Sequence, residues 1–306
     1  MDTHLLRTFA AVARLGSFSG AAAELGYTQA AVSQQIAALE SDLKVTLLNR
    51  RPVTPTEAGA RLLEHAAPIL LRLDAARADV TRLTLAPSAS LAVGLTPLAG
   101  GSPAVAQALA ALRREMPRAE VSVRVGARTE VATAVARGEF DIGLVDGLSA
   151  PGDSLPVLTS QYASGVAEAE VFVVLPGDHP LARRAGVHLA ELVDARWIEA
   201  AGVAPPLSDV RRVAGVDGFR AAFRYEGTDT LSLIRLAATG QGLTMLPGTV
   251  LPGATLPVTA GPVAGCGFSA VPVTAPRVLH RVESVHGTLR AGSAAAVLAG
   301  LLSPRG

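Results

Sequence analysis

The stretch LRTFAAVARLGSFSGAAAELGYTQAAVSQQIAALE, residues 6–40, decides the N-terminal fold. Leu5, Leu6, Phe9, Val12 and Ala13 recur at helical spacing on one stripe, and Gly16 stops that helix. Ser17 or Ser19 can cap a second helix, whose Ala21, Ala22 and Leu25 form a small-residue face that lets neighbouring helices approach closely. Gly26 supplies the left-handed residue that a sharp turn needs, and Thr28 can cap a third helix, TQAAVSQQIAALESDL. Helix, glycine turn and helix within about 25 residues is helix-turn-helix geometry.

On the third helix Val32, Ile36, Leu39 and Leu43 fall on one side and face a core. The other side presents Ala30, Ser33, Gln34, Ala37 and Ser41, with Gln29 in the exposed first turn. That face is uncharged and short-chained, whereas a solvated face more often carries Glu–Lys pairs. Gln can bond adenine at two atoms and Ser can read several base edges, so the face suits a major groove or, failing that, a plain surface. Just beyond, NRRPVTPTEAG (49–59) sets Arg50 and Arg51 at the tip of a short, proline-punctuated hairpin. Adjacent arginines are commonly solvated surface; beside a helix-turn-helix they also suit phosphate contact or insertion into a minor groove. Thr56 and Glu57 can start the next helix.

The chain has 306 residues, 49% hydrophobic and 17% charged, which argues for two or three packed domains and against extensive disorder. A net charge of +1 does not mark a nucleic-acid binder, and the residues up to 55 hold no basic patch. No uncharged apolar run reaches the roughly 18–20 residues of a membrane span, so no membrane partner is expected. No basic segment or cleavage site precedes LLRTFAAVARL, so a cytoplasmic protein is expected. Cys266 stands alone and the six His lie apart, which excludes an internal disulfide and predicts neither metal nor cofactor. Ser41 and Lys44 have an S-x-x-K spacing without its partner motifs. GCGFSA (265–270) is a partial dinucleotide fingerprint that no good helix follows, so an enzyme is not expected.

Residues 56–86 read as one long helix with Leu62, Ala66, Ile69, Leu73, Ala76, Val80 and Leu83 spaced 4-3-4-3-4-3. Such a stripe pairs with another helix or packs on its own domain, and Pro68 should kink it. PSAS (87–90) reads as a hinge. From Leu91 onward β-branched runs alternate with helices, the pattern of βαβ units. LAVGL (91–95), VSVRV (121–125) and FDIGLV (140–145) read as parallel strands, with Ser102 and Thr129 as caps of the intervening helices. VFVVL (171–175), WIEA (197–200), AAFRYEG (221–227) and GLTML (242–246) form a second unit, with Thr228 capping its helix. Ligands of such sheets bind beyond the carboxyl ends of the strands: here Thr96 and Pro97, Gly126 to Arg128, and Asp146 with Gly147.

From Leu6 to Gly59 the sequence resembles the DNA-binding domain of LysR-type transcriptional regulators, matching in the 6–40 stretch, LLNR and TEAG. VFVVLPGDHPLA and GQGLTMLP resemble the effector domains of the same family. The resemblance implies a multidomain chain: an α-helical winged helix-turn-helix (1–59), a linker and dimerisation helix with hinge (60–90), and an α/β effector domain (91–306). That last domain would hold two Rossmann-like subdomains, one of 91–162 with 265–306 and the other of 163–264. DNA contacts fall on Thr28, Gln29, Ala30, Ser33, Gln34, Arg50 and Arg51. The family's usual proline is Ala30 here, the basic residue often following the Ser is Gln34, and the wing is short. The effector would lie near Thr96, Pro97, Arg128, Asp146, Ala200 and Thr228, and converging helix N-termini favour an anion. Double-stranded promoter DNA, a small-molecule effector, a homodimer or homotetramer and RNA polymerase are the implied partners. The competing reading is a cytoplasmic small-molecule-binding protein without DNA-regulatory activity, which the intact 1–59 pattern opposes.

Overall fold

The computed structural model describes residues 2–84, 90–156, 162–251, 262–263 and 266–303. The chain divides into two compact units, Met1–Thr81 and Arg82–Gly306.

The first unit holds α1 (Thr3–Leu15), α2 (Phe18–Leu25) and α3 (Gln29–Leu43), then an antiparallel hairpin of β1 (Leu48–Arg50) and β2 (Val53–Pro55), then α4 (Glu57–Thr84). Each of the first three helices starts on a side-chain cap. Asp2 accepts from the His4 N–H, Ser17 from Gly20 and Thr28 from Ala31. Gly16 and Gly26 end α1 and α2 at φ of 60° and 70°, a conformation costly for a side chain with a Cβ. Leu6, Phe9, Val12, Val32, Ile36 and Leu39 close the core together with Leu47 and Leu48 of the hairpin. The polar pair at its rim is satisfied, because Thr8 Oγ1 donates to Gln35 Oε1 (2.6 Å).

Helix α4 runs through Pro68 as one element. The expected pairing stripe along it splits. Ala66 is fully buried and Leu62 half-buried in the first unit's own core, with Ala58, Leu63 and Leu70 beside them. Those two positions therefore face α1–α3 and are not open to a second helix. Leu73 is half-buried, whereas Ile69, Ala76 and Val80 are exposed. The side chain of Leu83 lies outside the described residues, as does most of the 87–90 hinge.

The second unit is built on β3 (Ser90–Leu95), α5 (Pro97–Gly100), α6 (Pro103–Glu115), β4 (Glu120–Val125), α7 (Arg128–Ala136), β5 (Ile142–Ser149) and β6 (Tyr162–Pro176). It continues through β7 (Val187–His188), β8 (Trp197–Glu199), α8 (Leu207–Ala214), β9 (Ala221–Arg224), α9 (Thr230–Ala238), β10 (Thr244–Pro247), β11 (Pro262–Val263), β12 (Cys266–Ala275), β13 (Leu279–His286) and α10 (Ala294–Leu302). One sheet runs β11-β12-β6-β13-β5-β3-β4, with β10 also on β6 and β7 on β12. The βα crossovers make β3 parallel to both β4 and β5, as the sequence pattern requires.

Strand β6 serves two lobes. Its residues from Tyr162 to Glu170 pair with β13, and from Val171 onward it pairs with β10 and β12. Alternation then places Val171, Val173 and Leu175 on one buried face, with Trp197 and Phe219. Phe172 and Val174 lie on the opposite buried face, with Phe268 and Leu246. Trp197 is completely buried, donates its indole N–H to the Leu192 carbonyl (2.9 Å) and meets Phe219 edge-on at 5.5 Å. The lobe boundary therefore differs from a division at 162/163 and 264/265. Residues 163–170 hydrogen-bond within the first lobe, and β12 packs Phe268, Ala270 and Val271 into the cores of the second.

Gly59, buried in the first turn of α4, lets that helix pass the backbone of β1's approach: a Cβ there would overlap the Leu47 carbonyl oxygen. That oxygen also accepts from the Thr56 N–H (2.9 Å). Gly59→Ala is expected to destabilise the first unit by about 2–3 kcal/mol, the cost of overpacking against backbone that cannot yield. Chemical denaturation should show this as a lower midpoint for the first unit alone.

Candidate functional site

Two regions concentrate the candidate residues, one in each unit. In the first, Thr28, Gln29, Ala30 and Gln34 are exposed on α3 and Ser33 is half-buried, with Ala37 and Ser41 exposed further along. The Thr28 hydroxyl is engaged as the helix cap, accepting from Ala31 N–H (3.1 Å). Gln29 and Gln34 make no side-chain hydrogen bond among the described residues. Gln35, the third glutamine of the helix, points inward to Thr8.

The hairpin arginines are not equivalent. Arg50 Nη2 lies 3.3 Å from Glu40 Oε2, and its guanidinium sits 4.9 Å from the Phe18 ring centre. Arg51 is exposed in the turn and makes no ion pair among the described residues. Glu40, which the sequence pattern did not single out, does more than pair with Arg50. Its Oε1 accepts from the backbone N–H groups of Leu47 (2.8 Å) and Leu48 (3.2 Å), so α3 and the hairpin are joined through one carboxylate. The signal was available in retrospect: Glu40 is the first charged residue of the helix, after eleven uncharged ones, and stands near a chain reversal.

In the second unit Thr96, Pro97, Arg128 and Asp146 line one cleft of about 80 Å³, together with Leu98, Ala201–Pro206 and Asp209. Its floor is where β3 ends and where β5, running on to Ser149, carries Asp146 and Gly147. Thr96 Oγ1 donates to Asp146 Oδ1, and the buried His280 of β13 contacts Asp146 Oδ2 at 2.8 Å. An ionised carboxylate only accepts, so His280 carries its proton on Nε2. His280 is 134 residues from Asp146 and reaches it because β13 pairs with β5 at Leu148.

Arg128 opens α7 and lies against Gly147, where a Cβ would come within 3.3 Å of its Nη1. Nη2 donates to the Pro156 carbonyl (2.7 Å), while Nε is shielded from solvent without a partner. Burial pulls the Arg128 pKa below its ordinary value; Asp209, Asp146 and Glu283 pull back without offsetting it, and Arg212 adds to the fall. Arg212 itself pairs with Asp209 (3.5 Å) and donates to the Leu148 carbonyl (2.8 Å). A half-buried guanidinium on the lining of a cleft favours an incoming anionic group.

Ala200 and Thr228 do not line this cleft. Ala200 is buried one residue behind its wall, where its carbonyl accepts from Val203 and Ala204 and shapes the turn. Thr228 is exposed; the adjacent Asp229 caps α9 instead, accepting from Ser232 and Leu231 N–H. Those bonds, Ser232's first, hold the Asp229 carboxyl below its usual range. Likewise Glu130, not Thr129, caps α7 by accepting from Ala127 N–H (2.9 Å). Ser102 precedes α6 without making a side-chain cap bond. The third helix end at the cleft is therefore that of α8, after Pro205 and Pro206, and not that of α9.

A winged helix-turn-helix in one unit and a two-lobed α/β cleft in the other define a ligand-responsive DNA-binding regulator. The chain belongs to the LysR family of bacterial transcriptional regulators: the lysR-family regulatory helix-turn-helix model matches residues 3–60, and the LysR substrate binding domain matches 86–275. The HTH-type transcriptional regulator YnfL of Escherichia coli (strain K12) is 31% identical over 79% of this chain and 80% of its own. BudR of Raoultella terrigena, also an HTH-type transcriptional regulator, is 29% identical over 93% and 98%. Among solved structures, full-length BenM is 20% identical with a TM-score of 0.55, covering 99% of this chain and 95% of that one. Full-length CbnR in complex with its target DNA is 20% identical with a TM-score of 0.53, covering 99% of each. These two share the fold. The protein is a transcriptional regulator and not an enzyme, and no helix among the described residues is long and apolar enough to cross a membrane.

Glu40→Ala strips the acceptor from two backbone donors at buried residues. It is expected to cost about 1–3 kcal/mol and to free the hairpin. Hydrogen exchange at the Leu47 and Leu48 amides should speed up well before that of the α1 core.

Proposed function

We propose that the protein is a cytoplasmic regulator that binds promoter DNA as a homodimer or homotetramer, reading bases with α3 and phosphates with the hairpin. A small effector carrying a carboxylate or similar anion sets its state from the cleft of the second unit. The observation that carries the DNA half is the outer face of α3, where Gln29, Ala30, Gln34, Ala37 and Ser41 stand exposed and uncharged. A face of that chemistry fits into a major groove without repelling or indiscriminately attracting phosphates. Affinity then depends on the hairpin, the helix N-termini and pairing of two units on two half-sites. Exposed Ile69, Ala76 and Val80 on α4 support pairing through the distal part of that helix, rather than through Leu62 and Ala66.

An effector can change transcription only by binding one arrangement of the assembly better than another. In this reading cleft occupancy alters the spacing or angle of the paired helix-turn-helices, and through that the DNA bend and the contact with RNA polymerase. The Arg128 guanidinium on the cleft lining supports the cleft as the effector's place.

Footprinting on the DNA upstream of the protein's own coding region, with and without two substitutions, tests the division of labour. Ser33→Glu puts a charge against the groove and is expected to abolish the protected site. Arg51→Ala is expected to weaken specific and nonspecific binding alike and to lower the salt slope by about one. Arg50→Ala should act on the hairpin's stability more than on the salt slope, because Arg50 is held by Glu40 and Phe18. Equal loss of sequence preference from Ser33→Glu and Arg51→Ala would overturn this reading.

A further inference from the structure

Ionisable groups of opposite sign line the cleft: Arg128, whose Nε has no acceptor, and Asp146, which holds Thr96 on one carboxylate oxygen and His280 on the other. Asp209 is matched by Arg212, which leaves Arg128 and Asp146 as the charges facing the space. They are neighbours, since the Arg128 guanidinium lies over Gly147, the residue after Asp146.

Hydrogen-bond direction narrows the chemistry at each end. The one proton of the Thr96 hydroxyl is donated to Asp146, so the oxygen lone pairs of Thr96 and the remaining lone pairs of Asp146 are all acceptors. This end of the cleft can take a donor and has no proton to offer to an anion. Arg128 has only donors, one of them without an acceptor. Leu98, Val203 and Ala204 form the apolar wall, and the volume of about 80 Å³ admits only a few heavy atoms.

We infer that the effector is a small zwitterion, an α-amino acid with a short apolar side chain. Its carboxylate meets Arg128, its ammonium meets Asp146 and Thr96, and its side chain lies against Leu98, Val203 and Ala204. The inference rests on the cleft being the effector site and adds to it a second recognition point of opposite charge. A simple carboxylate would bring a second negative charge up to Asp146 and would offer no donor to the lone pairs of Thr96, which disfavours it.

Titration calorimetry of the full-length protein at neutral pH compares alanine and valine with propionate and isovalerate, with the matching amines and with lactate. The amino acids are expected to bind roughly tenfold or more tightly than the carboxylates and amines, the usual effect of leaving a buried polar group unmatched. Asp146→Asn keeps an acceptor for Thr96 and is expected to erase the preference for amino acid over carboxylate. Thr96→Ser, which keeps the hydroxyl, should retain it. Melting curves of each variant show that it is folded. If carboxylates or lactate bind as well as the amino acids, or if Asp146→Asn leaves the preference intact, the zwitterion reading is overturned while the cleft reading stands. Binding that survives both Arg128→Met and Ala204→Trp would remove the cleft reading and this inference together. No binding by any amino acid of the panel also overturns the inference.

Discussion

Strand β6 is hydrogen-bonded along one half of its length to β13 and along the other to β10 and β12. Because one continuous strand belongs to both lobes of the second unit, neither lobe can shift register without breaking a ladder in the other. The return path through β12 and β13 doubles this constraint. The two lobes are thereby fixed at their join, and side chains add to it beside the cleft: Arg212 of α8 donates to the Leu148 carbonyl of β5, and Leu98 shares a buried cluster with Ile198 and Ala204.

The same join delivers the polar floor. Antiparallel pairing of β13 with β5 sets His280 opposite Leu148, and its imidazole then reaches Asp146. Farther along β13, Arg281 joins Glu283 (2.7 Å) and Glu168 of β6 (2.6 Å), while Glu283 also accepts from the Leu155 N–H (3.0 Å). Burial alone would lower the Arg281 pKa, but the hydrogen bonds it donates to Glu283 and Glu168 raise it on balance. Arg128 is the contrast. Two half-buried arginines of the same unit thus differ: Arg281 has carboxylates on Nε and Nη1, whereas Arg128 has a backbone carbonyl on Nη2 and no acceptor on Nε.

Local pattern carried much of this architecture. Val32, Ile36 and Leu39 mark the inward face of α3 by helical period, and VFVVL marks a strand buried on both faces by its unbroken apolar run. The preceding YASGVAEAE does not read as a strand, being rich in Ala, Gly and Glu; its pairing with β13 is imposed by tertiary context. On α4 the 4-3 spacing correctly marks an apolar stripe but cannot say what covers each part of it. Leu62 and Ala66 go to the first unit's own core, and only the distal residues stay exposed. At the cleft, Thr96, Pro97 and Arg128 were legible because strand ends and the residues after them define ligand sites in such sheets; Asp146 reads as following a strand that in fact continues to Ser149. His280 and Asp209 were not, since their role depends on contacts between segments far apart in the chain. Thr228 was a capping signal misplaced by one residue, with Asp229 the better acceptor.

In the first unit the central fact is that the first three turns of α3, Gln29 to Leu39, carry no charge, which is concentrated at the helix end and beside it. Glu40 ends the neutral face, binds the hairpin backbone and holds Arg50 against Phe18. A hairpin of three-residue strands has little stability of its own, so this carboxylate and the buried Leu47 and Leu48 set its position. Arg51, in the turn beyond, is then carried at a fixed place relative to the uncharged face of α3. In the proposed reading such an arrangement separates discrimination from attraction: short side chains and amides on the helix would face the bases, while Arg51 would meet phosphate from where the Glu40 tie has put the hairpin.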